Sequence, residues 1–157
     1  MPPPAIISPS TLDFSHLLAD RDAVMRVNPH RHEFQLLDGV LFCDPATGLF
    51  AGYHDVRPDA WWTRGHIPGR PLFPGVLMIE VAAQLCSFAR NRMLQGAAFI
   101  GFVGVDDVKF RGTVEPPCRL VIIGRSIEVK ARRFISDTQG FVGETMVFEG
   151  RITGMPV

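Results

Sequence analysis

Residues 64–84 read RGHIPGRPLFPGVLMIEVAAQ, an irregular loop rich in proline and glycine that leads directly into a long apolar run. Proline fixes φ and lacks an N–H donor, while glycine permits close backbone approach. The pattern therefore predicts a rigid loop that delivers the chain into a helix. One histidine, His66, lies in the loop, and one glutamate, Glu80, lies in the apolar run. These two polar residues are the first candidates for chemistry.

The apolar run from Val76 to about Leu94 predicts a buried helix, with Gly96 as its stop signal. Apolar residues cover nearly every face of its first four turns, which is typical of a helix enclosed by other elements. Glu80 and Gln84 are four residues apart and share one face. A carboxyl group among apolar neighbours is costly unless it is paired or neutral, which indicates proton chemistry. The alternative is a structural glutamate that hydrogen-bonds to a strand.

The composition is that of an ordinary globular protein, since 46% of the 157 residues are hydrophobic and 20% are charged. Sixteen basic residues balance sixteen acidic ones, so no overall field favours nucleic acid or an anionic membrane. The three cysteines are odd in number and widely spaced, which argues against a disulfide framework and a zinc site. Neither a signal peptide nor a membrane-spanning apolar stretch is recognisable. We therefore expect a cytoplasmic protein.

The pattern along the chain divides it into a flexible, proline-rich arm (1–10) and a single domain (11–157). One or two short helices are predicted between residues 11 and 27, with Asp20 as a candidate N-cap. Segments rich in β-branched and aromatic residues predict strands at 34–42, 49–56, about 98–110, 120–132 and 141–153, and residues 136–140 are turn-like. The sum is an α+β fold in which roughly five antiparallel strands wrap one central buried helix.

The sequence GHIPGRPLFPGVLMIEVAAQ (65–84) closely resembles the signature of the β-hydroxyacyl-acyl carrier protein dehydratases of the FabZ type. Upstream, NPHRHEFQLLDGV (28–40) resembles the Pro-His-Arg segment and first strand of that family. Downstream, GVDDVKFRGTVEPP (104–117) resembles the strand and turn that follow its helix. The resemblance implies the hotdog fold, in which an antiparallel sheet wraps a central helix.

The resemblance also implies a reaction, the elimination of water from a 3-hydroxyacyl thioester to give a trans-2-enoyl thioester. His66 would act on the C2 proton, Glu80 would help the hydroxyl group leave as water, and the Gly75 N–H would polarise the thioester carbonyl. The free N–H groups expected at a helix N-terminus suit that last role. Gln84 would orient Glu80 or hold a water molecule, unless it only satisfies a packing hydrogen bond. No metal or redox cofactor is implied.

In this family the histidine and the glutamate of one site come from different subunits, so a homodimer is implied, and a trimer of dimers is a possible further assembly. The implied partner is an acyl carrier protein that presents the substrate on phosphopantetheine. Six basic residues are candidates for its acidic surface, and each is otherwise a solvated surface charge: Arg64, Arg70, Lys109, Arg111, Arg132 and Arg133. Four apolar residues are candidates for an acyl tunnel, and each is otherwise ordinary core: Leu77, Val81, Phe102 and Phe110.

Three other functions are compatible with parts of this pattern. A hotdog thioesterase would share the fold but would not require the histidine loop. The related isomerising dehydratases use aspartate at the helix position, so Glu80 argues against that class. A non-catalytic module that only binds acyl carriers would not need both His66 and Glu80. The sequence therefore favours the dehydratase.

Overall fold

The computed structural model describes residues 1–96 and 98–157, which form six antiparallel strands around one long helix. In chain order the elements are α1 (Arg21–Val27), β1 (Gly39–Asp44), β2 (Leu49–Val56), α2 (Gly75–Met93), β3 (Ile100–Phe110), β4 (Cys118–Val129), β5 (Phe134–Val142) and β6 (Thr145–Pro156). The strands form a single sheet in the order β1-β2-β4-β5-β6-β3. The predicted α+β architecture is confirmed.

The central helix α2 occupies the predicted position to within one residue at each end. Its stop signal differs from the prediction, because Gln95 rather than Gly96 adopts the left-handed conformation, with φ of 50°. The Gly96 N–H then donates to the Asn91 carbonyl at 3.0 Å, which closes the last turn. No helix in the described ranges combines the length and the apolar character that crossing a membrane would require.

The core lies between α2 and the inner face of the sheet, where Leu85, Ile122 and Phe148 are fully buried. Burial follows the two-residue period of a strand, because Val121 and Ile123 point to the opposite face and join a second cluster there. That outer cluster is covered by half-buried residues of the N-terminal segment. The sheet is therefore apolar on both faces over its central strands.

The predicted number of strands was too low by one. Residues 136–140, predicted as a turn, lie inside β5, and the flanking turns lie at 130–133 and 143–144. Thr138 is buried in the sheet, and its hydroxyl donates to the Gly150 carbonyl. The segment was predicted as a turn because its residues are polar. The sequence alone does not show that these side chains find hydrogen-bond partners within the sheet.

The two edges of the sheet differ in how they are covered. The β1 edge is paired with residues 18–19, where Ala19 forms a bridge with Val40. The β3 edge has no strand beside it among the described residues, and Phe102 and Val103 remain 50% and 52% exposed. An open edge strand with exposed apolar side chains is a ready pairing surface for another chain.

The proline-rich arm is attached to the outer face through Gln139, which is almost fully buried. The Ile6 N–H donates to Gln139 Oε1 at 2.7 Å, and Gln139 Nε2 donates to the Pro4 carbonyl at 3.1 Å. Ile6 and Ile7 pack on the outer cluster. Both ends of the Gln139 amide are thus satisfied by the arm. These contacts do not measure motion, so the flexibility of residues 1–10 stays a prediction.

We expect truncation of residues 1–7 to lower the stability of the fold by about 2 kcal/mol, because it uncovers apolar surface and leaves the Gln139 amide without these partners. For a chain of this size the midpoint of thermal unfolding should fall by roughly 4–8 °C, measured by circular dichroism. Truncation of residues 1–3, which are exposed, is the matched control. Equal midpoints for the two truncations would contradict the assigned contacts.

Candidate active site

The loop that carries His66 is fixed at both ends by buried aromatic residues. Trp62 and Phe73 are each 3% exposed, and their rings pack edge to face with centroids 5.3 Å apart. The His66 N–H donates to the Trp62 carbonyl at 2.9 Å, and the Phe73 N–H donates to the Val114 carbonyl at 2.8 Å. His66 is therefore exposed but held on an anchored backbone.

The His66 ring has a defined tautomer. Its Nδ1 lies 2.8 Å from the Leu72 carbonyl oxygen, and because a carbonyl can only accept, Nδ1 carries the proton. In the neutral ring Nε2 is then the nitrogen with a lone pair, which can accept a substrate proton. This hydrogen bond also fixes the ring orientation, as an acceptor behind a catalytic histidine commonly does.

The start of α2 presents free N–H groups. Leu77 and Met78 donate to the Pro74 carbonyl, whereas the N–H groups of Gly75 and Val76 have no acceptor within the described chain. A Cβ atom at Gly75 would come within 2.9 Å of the Phe110 ring, so glycine permits this close approach. Free N–H groups at the positive end of a 19-residue helix can polarise a carbonyl oxygen.

Gln84 holds the Glu80 carboxyl group in place. It is 1% exposed, and its Oε1 accepts from the backbone N–H groups of Leu36 and Leu37 at 3.2 and 3.1 Å. Its Nε2 donates to the Phe34 carbonyl at 2.7 Å and to Glu80 Oε1 at 2.8 Å. Gln84 thus meets both alternatives considered from the sequence, since it satisfies a packing requirement and also contacts Glu80.

A second side chain that the sequence did not single out approaches the same carboxyl oxygen. His30 Nε2 lies 3.6 Å from Glu80 Oε1. Burial lowers the pKa of His30 and Arg31 adds to this, while the nearby Glu80 opposes it. The helix has no basic residue within two turns of Glu80, so a basic partner has to come from another part of the chain. The Pro-His-Arg segment (29–31) was the sequence feature from which His30 could have been identified.

A cavity of about 210 Å³ opens beside Glu80, between α2 and strands β3, β5 and β6. Its polar lining comes from His30, Glu80, Gln84 and Ser87, and the rest is largely apolar: Ala83, Phe99, Ile100, Gly101, Phe102, Phe134, Ile152 and Gly154. The volume exceeds the roughly 150 Å³ of an engineered apolar cavity that accepts benzene. Of the four predicted tunnel residues, Phe102 lines this cavity, whereas Leu77, Val81 and Phe110 do not.

The structure does not bring all the predicted site residues together within one chain. Glu80 and Gln84 line the cavity, but His66 and Gly75 do not. His66 contacts the Leu72 carbonyl instead, on the loop that precedes α2. In this conformation His66 and Glu80 therefore do not face one cavity within a single chain.

The basic candidates fall into two groups at opposite ends of α2. Arg64 and Arg70 lie on the loop before the helix, and Lys109 and Arg111 lie at the end of β3 beside Gly75. Arg132 and Arg133 lie on the β4–β5 turn, next to Ala131, whose carbonyl accepts from Arg90 near the end of α2. Since 19 helical residues span about 28 Å, the six do not form one patch on this chain.

Residues 36–38, whose backbone contacts Gln84, are stabilised by the pair His54 and Asp38, which the sequence analysis did not identify. His54 Nδ1 donates to the Leu36 carbonyl at 2.6 Å and lies 3.1 Å from Asp38 Oδ2. Burial would raise the pKa of Asp38, but hydrogen bonds from His54 and the Asp55 N–H, with Arg21 nearby, hold it below its usual value. The Asp38 carboxylate therefore stabilises the fold at neutral pH, and this contribution is lost as the pH falls through the folded-state pKa.

The three cysteines are free thiols, as the sequence predicted. Burial raises the pKa of Cys43 to about 11 and that of Cys86 to about 12, so both remain neutral near pH 7. Within the described part of the chain, histidine, cysteine and carboxylate side chains do not cluster in a way that could hold a metal ion.

These features define a hotdog protein with a histidine loop and a carboxyl-bearing central helix. Residues 28–151 match the model of the FabA-like domain, and the chain belongs to this family. A curated relative from Moorella thermoacetica, named 3-hydroxyacyl-(acyl-carrier-protein) dehydratase FabZ, is 35% identical over 135 residues, covering 85% of this chain and 93% of the relative. A relative of the same name from Lawsonia intracellularis is 35% identical over 136 residues, covering 83% of this chain and 87% of the relative.

Solved structures agree with the fold at low sequence identity. The dehydratase heterocomplex ApeI:P from Xenorhabdus doucetiae contains a chain that superposes with a TM-score of 0.73 at 16% identity, covering 85% of this chain and 90% of that one. A sigma28-regulated virulence protein from Campylobacter jejuni superposes with a TM-score of 0.67 at 13% identity, covering 93% and 96%. The predicted hotdog fold is confirmed.

Proposed function

We propose that this protein is a hydro-lyase that converts 3-hydroxyacyl thioesters on acyl carrier protein into trans-2-enoyl thioesters in fatty-acid or related acyl-chain biosynthesis. Curated relatives of nearly the same length carry the corresponding enzyme name. The observation that carries the proposal is the state of the Glu80 carboxyl group. It lines an apolar cavity with Oε1 bound by Gln84, and Oε2 has no hydrogen-bond partner among the described residues.

The proposed reaction assigns one proton transfer to each residue. His66 Nε2 removes a proton from C2, and the electron pair of that C–H bond forms the C2–C3 double bond as the C3–O bond breaks. Glu80 Oε2 donates its proton to the departing hydroxyl group, which leaves as water. The Gly75 N–H stabilises the charge that develops on the thioester oxygen. Proton return from His66 to Glu80, through solvent, restores the starting state.

The proposed site lies between two copies of the chain. Pairing of two β3 edges would cover the exposed side chains of Phe102 and Val103 and would extend the sheet across the dimer. His66 of one subunit would then complete the cavity that contains Glu80 of the other. This arrangement accounts for a loop and a cavity that do not meet within one chain. Assembly beyond the dimer, such as a trimer of dimers, stays a prediction.

The proposed partner is an acyl carrier protein that delivers its thioester on phosphopantetheine. The basic residues at the N-terminal end of α2 suit its acidic surface best, because they flank the loop and the free N–H groups. Arg64, Arg70 and Lys109 are exposed there, whereas Arg111 donates to Glu149 at 2.6 Å and is mostly buried. Arg132 and Arg133 stay candidates only for a contact at the other end of the helix. A cytoplasmic location stays a prediction.

An assay with 3-hydroxyacyl thioesters of acyl carrier protein tests the function directly. We expect ultraviolet absorbance of the conjugated enoyl thioester to rise with time, with no release of free thiol. A thioesterase would release thiol without enoyl absorbance, and a module that only binds acyl carriers would show saturable binding with no turnover. Either outcome would contradict the proposed reaction. A series of acyl chain lengths in the same assay measures the substrate preference.

A further inference from the structure

His30 differs from the other histidines because its ring lies next to the Glu80 carboxyl group of the proposed site. His30 Nε2 lies 3.6 Å from Glu80 Oε1, which is just beyond the distance of a direct hydrogen bond. The same oxygen accepts from Gln84 Nε2 at 2.8 Å. Glu80 Oε1 therefore lies between two side-chain nitrogens, while Oε2 is left for chemistry.

The backbone that carries His30 is held firmly against the helix. The side chain of Asn28, which is 1% exposed, donates to the Gln84 carbonyl at 2.9 Å. Arg31 donates to three carbonyls, those of Met25, Asn28 and His30, at 2.7 to 2.9 Å. These contacts place the imidazole at the cavity wall without requiring any bond from its own ring.

The unpaired nitrogen of His30 decides which tautomer it adopts. Nδ1 is buried and has no hydrogen-bond partner in the described structure. A buried N–H without an acceptor is more costly than a buried lone pair without a donor, so the proton belongs on Nε2. Burial also lowers the pKa of His30, which favours the neutral ring near pH 7. The Nε2–H then faces the Glu80 carboxyl group.

We propose that His30 is a positioning residue for Glu80, whose neutral Nε2–H stabilises the carboxylate that forms when Glu80 donates its proton to the leaving hydroxyl group. The inference rests on the proposed dehydratase function. As charge develops on Oε1, the contact with His30 shortens towards a hydrogen bond, so it is stronger in the transition state than before reaction. No proton passes to His30, and Gln84 provides the second donor to the same oxygen.

Within one chain, His30 and Glu80 are the titratable residues that line the cavity. Glu80 favours protonation of the His30 ring and Arg31 opposes it. In the proposed dimer, His66 of the second subunit is a further titratable group at the site. The effect of substituting His30 should therefore appear at Glu80 itself, in the rate and in the pH dependence.

Three variants separate hydrogen bonding from packing. His30→Phe fills the space but has no donor, His30→Gln keeps a donor near the position of Nε2, and His16→Phe is the matched control on a fully exposed histidine. For His30→Phe we expect kcat to fall about tenfold with little change in KM, because a hydrogen bond to a charged group is lost. The high-pH limb of the kcat profile should move to higher pH, since the carboxylate is less stabilised. His30→Gln should stay within about threefold of the wild type.

Equal kcat and equal pH profiles for His30→Phe and the wild type would overturn the inference, as would equal losses in His30→Phe and His30→Gln. A second measurement does not depend on activity. Nitrogen-15 NMR of the wild type should show His30 as the neutral tautomer with its proton on Nε2, and Glu80→Gln should shift that signal. A proton on Nδ1, or a charged ring near pH 7, would overturn the inference. An inactive wild type would refute the proposed function, whereas the NMR result tests the tautomer of His30 and its contact with Glu80 independently of activity.

Discussion

His66→Ala and Glu80→Gln should each lower kcat/KM for dehydration by about 10²- to 10⁴-fold, because each removes a group to which we assign one of the two proton transfers. His66→Ala removes the only ring nitrogen available as a base in the loop. Glu80→Gln keeps the size of the side chain and an oxygen that can accept from Gln84, but it has no proton to donate at neutral pH. The measurement is the initial rate of enoyl absorbance at saturating and at limiting substrate.

Both substitutions should leave the fold intact, which makes the loss of rate interpretable. The His66 side chain is exposed, and the Glu80 side chain is 28% exposed. We expect thermal midpoints within a few degrees of the wild type. His16→Ala, on a side chain 89% exposed and remote from the cavity lining, is the control for general effects of removing a histidine. Wild-type rates in either His66→Ala or Glu80→Gln would contradict the assigned roles.

The fold was largely predictable because its deciding features are local. Proline and glycine in the loop, followed by an all-round apolar helix, predicted α2 to within one residue. Asp20 was identified as an N-cap, and its side chain does accept from the Ala23 N–H at 2.8 Å. The strand 49–56 was predicted with its observed bounds. Two predictions failed. The first strand was predicted at 34–42 but lies at Gly39–Asp44. The strand β5 was missed, because the partners that satisfy its polar side chains lie on other parts of the chain.

The candidate site was predictable only in part, for the same physical reason. The four-residue spacing placed Glu80 and Gln84 on one face, and the structure joins them by a 2.8 Å hydrogen bond. His30 precedes Glu80 by fifty residues and reaches it through an irregular segment that no periodicity predicts. The six basic candidates fall into two groups because the turns that carry them lie at opposite ends of the sheet. The position of a turn depends on how the strands are arranged in the folded sheet, which spacing along the chain does not reveal.

Mixing two inactive variants can decide whether the proposed catalytic groups, His66 and Glu80, come from different subunits. In a dimer that combines a His66→Ala subunit with a Glu80→Gln subunit, one site has both substitutions and the other has neither. Random exchange of equal amounts gives half of the dimers this composition, so about one quarter of wild-type activity should return if sites are shared between subunits. Each variant alone should stay near or below about 1% of wild type.

In the proposed dimer, recovery of activity requires subunits to exchange across the β3 edge. Mixing should be done under mild denaturation and refolding. The negative control is the double variant His66→Ala, Glu80→Gln mixed with each single variant, since neither combination can form an intact site.

Val103→Pro, on an exposed position of the β3 edge, should weaken pairing between subunits. We expect it to lower the activity of the otherwise wild-type protein together with the dimer mass measured by light scattering. If the exchanged mixture shows subunits combined but no activity above that of the single variants, His66 and Glu80 do not act across the interface. In that case the loop and the cavity would have to meet within one chain, by a movement of the segment from Trp62 to Phe73. The exposed β3 edge would then have a role other than completing the site.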